Sequence, residues 1–223
     1  MSRTPLKDRK LPAYTRGEDI ANMVTHIVGG ALGIVILVFS VIIAARHRNV
    51  WGVVGGSLYG ASMVLLYTVS SVYHGLRPCM GKKVMQVIDH CTIYFLIAGT
   101  YTPILLSAIR PDYPVLAWVI FGIEWGLTAF AVVFTAIDHN KYRRLAMTCY
   151  IGMGWCIILA LRATIRCMGV PAFLWLIGGG VAYTIGAALY AAGGKKPIFH
   201  TVFHVFVDIG SVLQAVCILF YVL

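Results

Sequence analysis

The chain has 223 residues, of which 60% are hydrophobic and 12% charged, against about 25% charged in an ordinary soluble domain. That composition excludes a soluble enzyme with a conventional polar surface and points to an all-α, polytopic membrane protein, because a spanning segment satisfies its backbone internally as a helix. The net charge of +10 does not indicate a nucleic-acid partner, since the basic residues lie mostly in short loops beside apolar runs, where topology and anionic headgroups call for them.

Residues 1–23 form a polar N-terminal segment that carries Arg3, Lys7, Arg9, Lys10 and Arg16. It lacks the apolar core and cleavage site of a signal peptide. The first apolar run is therefore expected to stay as a spanning helix, with residues 24–223 forming a single membrane domain. Stretches of roughly 20 apolar residues occur at 24–45, 51–73, 84–109, 115–137, 145–166, 172–192 and 201–222, which predicts a seven-transmembrane helix bundle. Charged and Pro/Gly breaks such as Arg77-Pro78, Arg110-Pro111-Asp112-Tyr113-Pro114 and Gly193 to Pro197 separate the runs,. Pro103 predicts a kink in the third. Thirteen Lys and Arg fall on the N-terminal side of the spans and five on the other. The positive-inside rule then places the N-terminus in the cytoplasm and the C-terminus outside, as in a multi-pass protein of the cell membrane.

Small residues recur at four-residue spacing in Gly29/Gly33, Gly52/Gly56/Gly60 and Gly122/Gly126. They predict close helix approach within the bundle, and the same pattern would also serve a homo-oligomer. Six cysteines without C-x-x-C spacing argue against a disulfide framework or a thiolate zinc site.

Ionisable residues collect at the cytoplasmic side of four spans. The first opens with Glu18, Asn22 and His26, the second ends in Ser70 and His74, the third begins with Asp89 and His90, and the last with His200, His204 and, one turn deeper, Asp208. Such groups are costly in lipid and mark functional sites by default. Three neutral imidazoles with a fourth position for solvent make a catalytic zinc set. His74, His200 and His204 are the expected ligands. Asp89 would hold or deprotonate the water, or accept a ligand's second N–H, and Ser70, one turn from His74, would donate to a developing oxyanion. Glu18, Asn22, His26 and Asp208 would orient a ligand or line the site; for the first three, hydrogen bonding between helices is the favoured alternative. His90, turned about 100° from Asp89, is a weaker alternative ligand. Two histidines in the headgroup zone would also give the HxxxH spacing. His47 and His139, in charged loops, are expected to be solvated, and Glu124 stands in the fourth span with no partner to name.

These residues match a known pattern. Glu18-x3-Asn22-x3-His26, Ser70-x3-His74, Asp89 at the start of the third span and His200-x3-His204 at the start of the seventh resemble the hemolysin III family, within the group that includes the progestin and adipoQ receptors and the alkaline ceramidases. The resemblance covers essentially the whole chain and looks like the compact bacterial-type branch. It implies a zinc ion on His74, His200 and His204, Asp89 and Ser70 close to it, and a membrane lipid as substrate or ligand, since ceramidases of the group cleave an amide. The reading that follows is a zinc-dependent hydrolase of a lipid amide or ester bond in membrane lipid homeostasis. The alternatives are a non-catalytic lipid sensor or receptor-like protein with structural zinc, and a cytolytic pore former, for which the expected amphipathic or barrel segments are absent.

Overall fold

The computed structural model describes residues 3–192 and 198–223; the expected break at Gly193 to Pro197, with its two lysines, lies outside the described residues. All regular structure among the described residues is helical. Six helical runs are long and apolar enough to cross a membrane: Arg16–Arg46, Val50–Gly75, Met80–Ile109, Pro114–Asp138, Arg143–Ala191 and Ile198–Val222. The segments expected at 145–166 and 172–192 fall within one run of 49 residues. That run is α5 (Arg143–Gly154), a short 3-10 segment and α6 (Leu161–Ala192), and Gly169 inside α6 leaves helical geometry at φ 82°, ψ 165°. Glycine adopts that positive φ without a Cβ clash, and Pro171 just beyond supplies no amide to continue the ladder, so the helix direction breaks there.

Helix α1 (Arg16–Arg46) begins well before the apolar run at 24, because Thr15 and Glu18 form a reciprocal capping box over its first turn,. Asn49 caps α2 (Val50–Gly75) by accepting from the Gly52 amide at 2.8 Å,. Helix α3 (Met80–Pro103) meets its proline by widening into a π segment, Ile104–Ile109, where the Arg110 amide reaches back five residues to the Leu105 carbonyl,. Helices α4 (Pro114–Asp138) and α7 (Ile198–Cys217) complete the bundle.

The first two glycine stripes form the seam between α1 and α2. A Cβ on Gly60 would lie 2.5 Å from the Leu37 backbone, and one on Gly56 would lie 2.7 Å from Ser40. Gly122 and Gly126 have no such neighbour and are exposed on α4. Helix α7 is pinned by hydroxyls rather than by small residues alone. Ser211 Oγ lies 2.6 Å from Tyr67 Oη of α2 and 2.7 Å from Tyr183 Oη of α6, and Tyr59 donates to the Ser211 carbonyl at 3.2 Å. Tyr59 and Tyr67 are fully buried, so their hydroxyls need these partners.

The two ends of the bundle differ. At one, His47 Nδ1 donates to the Leu223 carbonyl at 2.8 Å, Asn49 donates to Ser107, and Arg166 donates to Tyr113. At the other, the N-terminal segment folds back on α4: the Thr4 amide donates to Asp138 Oδ2 at 3.0 Å, and Arg9 donates to the Ile137 and Thr4 carbonyls. His139 therefore is not solvated as its charged loop suggested. It is 7% exposed, and burial, with the charges of His90 and Arg9 adding, pushes its imidazole down to about 4, which keeps it neutral at pH 7. All six cysteines are free.

The seam makes a direct prediction. Gly60→Ala should destabilise the protein by about 1–3 kcal/mol through overpacking, whereas Gly122→Ala, which meets nothing within 4 Å, should leave the thermal unfolding transition in detergent unchanged.

Candidate functional site

His74 occupies the last turn of α2, while His200 and His204 occupy the first two turns of α7. Being four residues apart, the α7 pair share one helix face. Antiparallel packing brings that face to the end of α2. The three imidazoles offer ligand atoms that all lie within 4.8 Å of one another, the one such set among the described residues. Each ring is at least nine-tenths buried.

The nitrogens satisfy one another only in part: the Nε2 atoms of His200 and His204 are within hydrogen-bond reach of each other. His204 Nε2 lies 3.1 Å from His200 Nε2, close to the roughly 3.3 Å that separates two nitrogens on one tetrahedral ion at 2.0–2.1 Å. His74 Nε2, buried, has no hydrogen-bond partner, and neither do His200 Nδ1 and His204 Nδ1. An unsatisfied buried polar atom costs about 1–3 kcal/mol, so three buried imidazoles that each keep one nitrogen unpartnered are an unfavourable arrangement that a bound cation would relieve. The donor set fits a metal that accepts imidazole nitrogen.

What orients His74 is Asp19. Its Oδ1 accepts from His74 Nδ1 at 2.9 Å, and its Oδ2 accepts from Lys82 Nζ at 2.6 Å. The acceptor on Nδ1 keeps the proton there and leaves the Nε2 lone pair free, the role a carboxylate plays behind a metal-binding histidine. Asp19, Lys82 and His74 are 9%, 3% and 1% exposed, so α1, α2 and α3 are joined by a buried charge network.

The remaining residues divide. Asn22 Nδ2 approaches His74 Nδ1 at 3.5 Å, and His26 stacks on His204 with ring centroids 3.8 Å apart. Glu18 does not reach the cluster; it is spent on the α1 cap. Asp19 stands where Glu18 was expected, because Asn22 and His26 follow it by three and seven residues, which tracks a 3.6-residue helix better than steps of four. The Thr15-x-x-Glu18 capping signature was the signal that could have assigned Glu18 elsewhere. His90 has both ring nitrogens engaged, Nδ1 donating to the Gln86 carbonyl at 2.7 Å and Nε2 lying 3.1 Å from Tyr190 Oη. Asp208 stands against Gly29 at the α1–α7 contact with Oδ1 unpartnered. Glu124 is fully buried beside Cys156, away from the histidines.

Ser70 and Asp89 line a cavity of about 510 Å³ together with His26, His200 and His204. Ser70 Oγ is buried beside the Asp89 carboxylate. Beyond the polar end the walls are largely apolar, with Leu66, Ile93, Ile97 and Phe203, and the cavity runs as far as Gln214. Ten residues of helix separate His204 from Gln214, which is roughly 15 Å of depth. Its volume lies in the range of small-molecule sites. Tyr14, from the segment preceding α1, stacks on His200 with centroids 5.0 Å apart and planes at 17°.

The sequence profile described as "Haemolysin-III related" matches residues 14–215, nearly the whole bundle and every residue of the histidine cluster. The chain belongs to the Haemolysin-III related family. It is accordingly a multi-pass membrane protein, in keeping with its six apolar helical runs. Among similar proteins, Hemolysin-3 of Bacillus cereus is 37% identical over 206 residues, 92% of each chain. The Hemolysin-3 homolog of Bacillus subtilis (strain 168) is 36% identical over 208 residues, 93% of this chain and 96% of the relative. A more distant relative is the human Monocyte to macrophage differentiation factor, 27% identical over 213 residues, 92% of this chain and 84% of the relative.

The charge network gives a stability prediction for this Haemolysin-III related protein. Asp19→Ala leaves the Lys82 ammonium buried and unpaired and should cost about 3–5 kcal/mol. Lys82→Met, which leaves Asp19 bonded to His74, should cost clearly less. Paired thermal unfolding curves in detergent check the difference.

Proposed function

We propose that this protein is a zinc-dependent membrane hydrolase that cleaves an amide or ester bond of a lipid in membrane lipid homeostasis. The observation that carries this reading is the cluster of three imidazoles, two of which, His200 and His204, line one end of a largely apolar cavity together with Asp89 and Ser70. A hydrolytic site needs a nucleophile source, a proton acceptor and an oxyanion donor within reach of one atom, and these residue types supply the set.

Seven crossings with a cytoplasmic N-terminus complete the reading. The break at Gly169 divides the 49-residue run in two. Arg166 and Cys167, just before it, contact Tyr113 and Asp112 of the α3–α4 turn, while Arg143, at its start, lines the histidine end of the cavity. Reversal at Gly169 then returns the chain toward that end, and the surplus of Lys and Arg there is the cytoplasmic signal.

In this mechanism His74, His200 and His204 hold the ion, and Asp19 keeps His74 in the tautomer that presents Nε2,. A zinc ion so bound supplies Lewis acidity and lowers the pKa of water to about 7. Asp89 accepts the proton released from the attacking water and returns it to the leaving group. Ser70 Oγ, buried beside Asp89, donates to the oxygen on which negative charge develops,. The apolar walls hold the lipid tail and keep bulk water from the scissile bond.

A second reading, a lipid sensor with structural zinc, draws support from the way the Asp19–His74–Lys82 network ties three helices together beside α7. Three substitutions separate the two. His204→Ala should abolish bound zinc and turnover together, and Asp19→Asn should weaken zinc binding by about 10–100-fold. Asp89→Asn should retain zinc but lower hydrolysis by at least about 100-fold. Metal analysis beside hydrolysis of lipid amides and esters in nanodiscs reads all three. Hydrolysis persisting in metal-free protein would sink the hydrolase, and full zinc occupancy with no turnover of any lipid would favour the sensor.

A further inference from the structure

The segment before α1 is not a solvated tail. Lys10, Leu11, Pro12, Ala13 and Tyr14 form part of the cavity wall, and the Tyr14 ring lies flat against His200. The segment thus covers the end of the cavity at which the histidines stand. It is held at two places. Thr15 and Glu18 fix one end through the α1 capping box. At the other end Arg9 donates to the Ile137 carbonyl, Thr4 donates to Asp138, and Arg9 Nη1 lies 3.5 Å from His139 Nδ1. Lys83 of α3 adds a bond to the Lys7 carbonyl between them.

The chemistry of that far attachment is unusual in one respect. Arg9 is 3% exposed, whereas Arg3, Lys7 and Lys10 of the same segment are exposed. A buried guanidinium normally bonds a carboxylate, but here its hydrogen-bond acceptors are the Thr4 and Ile137 carbonyls. The buried Asp138 carboxylate, bonded to the Thr4 amide, acts on it as a nearby charge without a direct bond, and the His139 imidazole lies 3.5 Å away. The Ile137 carbonyl belongs to the last turn of α4, where carbonyls lack helical partners and the helix dipole favours a cation. The attachment has no direct Arg9–carboxylate bond and holds the segment through single hydrogen bonds to the end of α4, contacts that can break without separating the helices of the bundle. Leu11 and Tyr14 are only half-buried, which keeps the apolar cost of lifting the segment small.

We propose that residues 4–14 are a strap that gates the histidine end of the cavity, with Arg9 on the α4 C-terminus as its latch and Tyr14 as the part that covers His200. Closed, the strap shuts solutes of the aqueous phase out of the chamber. Released, it opens a route for a polar headgroup or product at the membrane surface. The gate does not depend on which chemistry the chamber performs.

Access of a water-soluble probe tests it without reference to metal or turnover. Ala187 lines the cavity on α6, and Ala187→Cys places a small thiol there. The full chain in nanodiscs is treated with a charged methanethiosulfonate reagent, and modification of residue 187 is followed by peptide-resolved mass spectrometry, apart from the native cysteines. Adding Arg9→Gln should speed modification at least about ten-fold, the factor that one lost charge-assisted hydrogen bond gives an open–closed equilibrium. Thr4→Pro, which removes the amide that donates to Asp138 and leaves Asp138, its bond to the Lys141 amide and Arg9 unchanged in sequence, should also speed it. Arg3→Gln, an exposed strap charge, should leave the rate unchanged. Because buried Arg9 also contributes to folding, Thr4→Pro decides the matter: a rate within about two-fold of the Ala187→Cys parent overturns the gate, whatever Arg9→Gln does.

Discussion

The Asp19 carboxylate is the point on which the histidine end of the bundle depends. It faces a histidine on one oxygen and a lysine on the other, so three helices must keep their relative positions for its charge to be compensated. Burying a lone carboxylate costs several kcal/mol, and the cost is offset only when geometry and hydrogen bonds are both good. The network thereby penalises any sliding of α1, α2 and α3 past one another, and the glycine seam between α1 and α2 lets the backbones come close enough for Asp19 to reach His74.

Much of this was legible from residue order. Five of the seven apolar stretches each fall on one helical run and the other two share the 49-residue run, because lipid leaves the backbone no other economical state. His74, His200 and His204 could be grouped because each stands at a span boundary, and span boundaries sort residues by depth. What depth cannot supply is azimuth. Glu18 and Asp19 share a depth and differ by about 100° around α1, and only the capping box and the His74 contact separate them. His90 and Asp89 pose the same problem one helix away, and there the hydrogen bonds to Gln86 and Tyr190 occupy His90.

The less legible features are those without periodicity. Residues 4–14 have no helical pattern and a high charge, and composition alone reads them as a solvated tail; their structure comes from tertiary bonds to Asp138, Ile137 and Lys83. The burial of His139 follows from that fold-back and from nothing in its own neighbourhood in the sequence. Pro103 was a sound signal of irregularity, yet the response, a π segment rather than a bend, depends on what the neighbouring helices leave room for. Gly55 leaves no room for a side chain where α2 meets that proline.

The placement of the histidines along the chain has a consequence for biogenesis. His74 comes from the second helix, whereas His200 and His204 come from α7, which follows the other six in chain order. Synthesis runs from the N-terminus and earlier elements form first, so the Asp19–His74–Lys82 corner can be assembled while the cluster still lacks two of its three imidazoles. Docking of α7, secured by Ser211 on Tyr67 and Tyr183, closes the set in one step. The three-imidazole cluster therefore exists only in a finished bundle, and a stalled or truncated chain that lacks α7 carries one imidazole of the three.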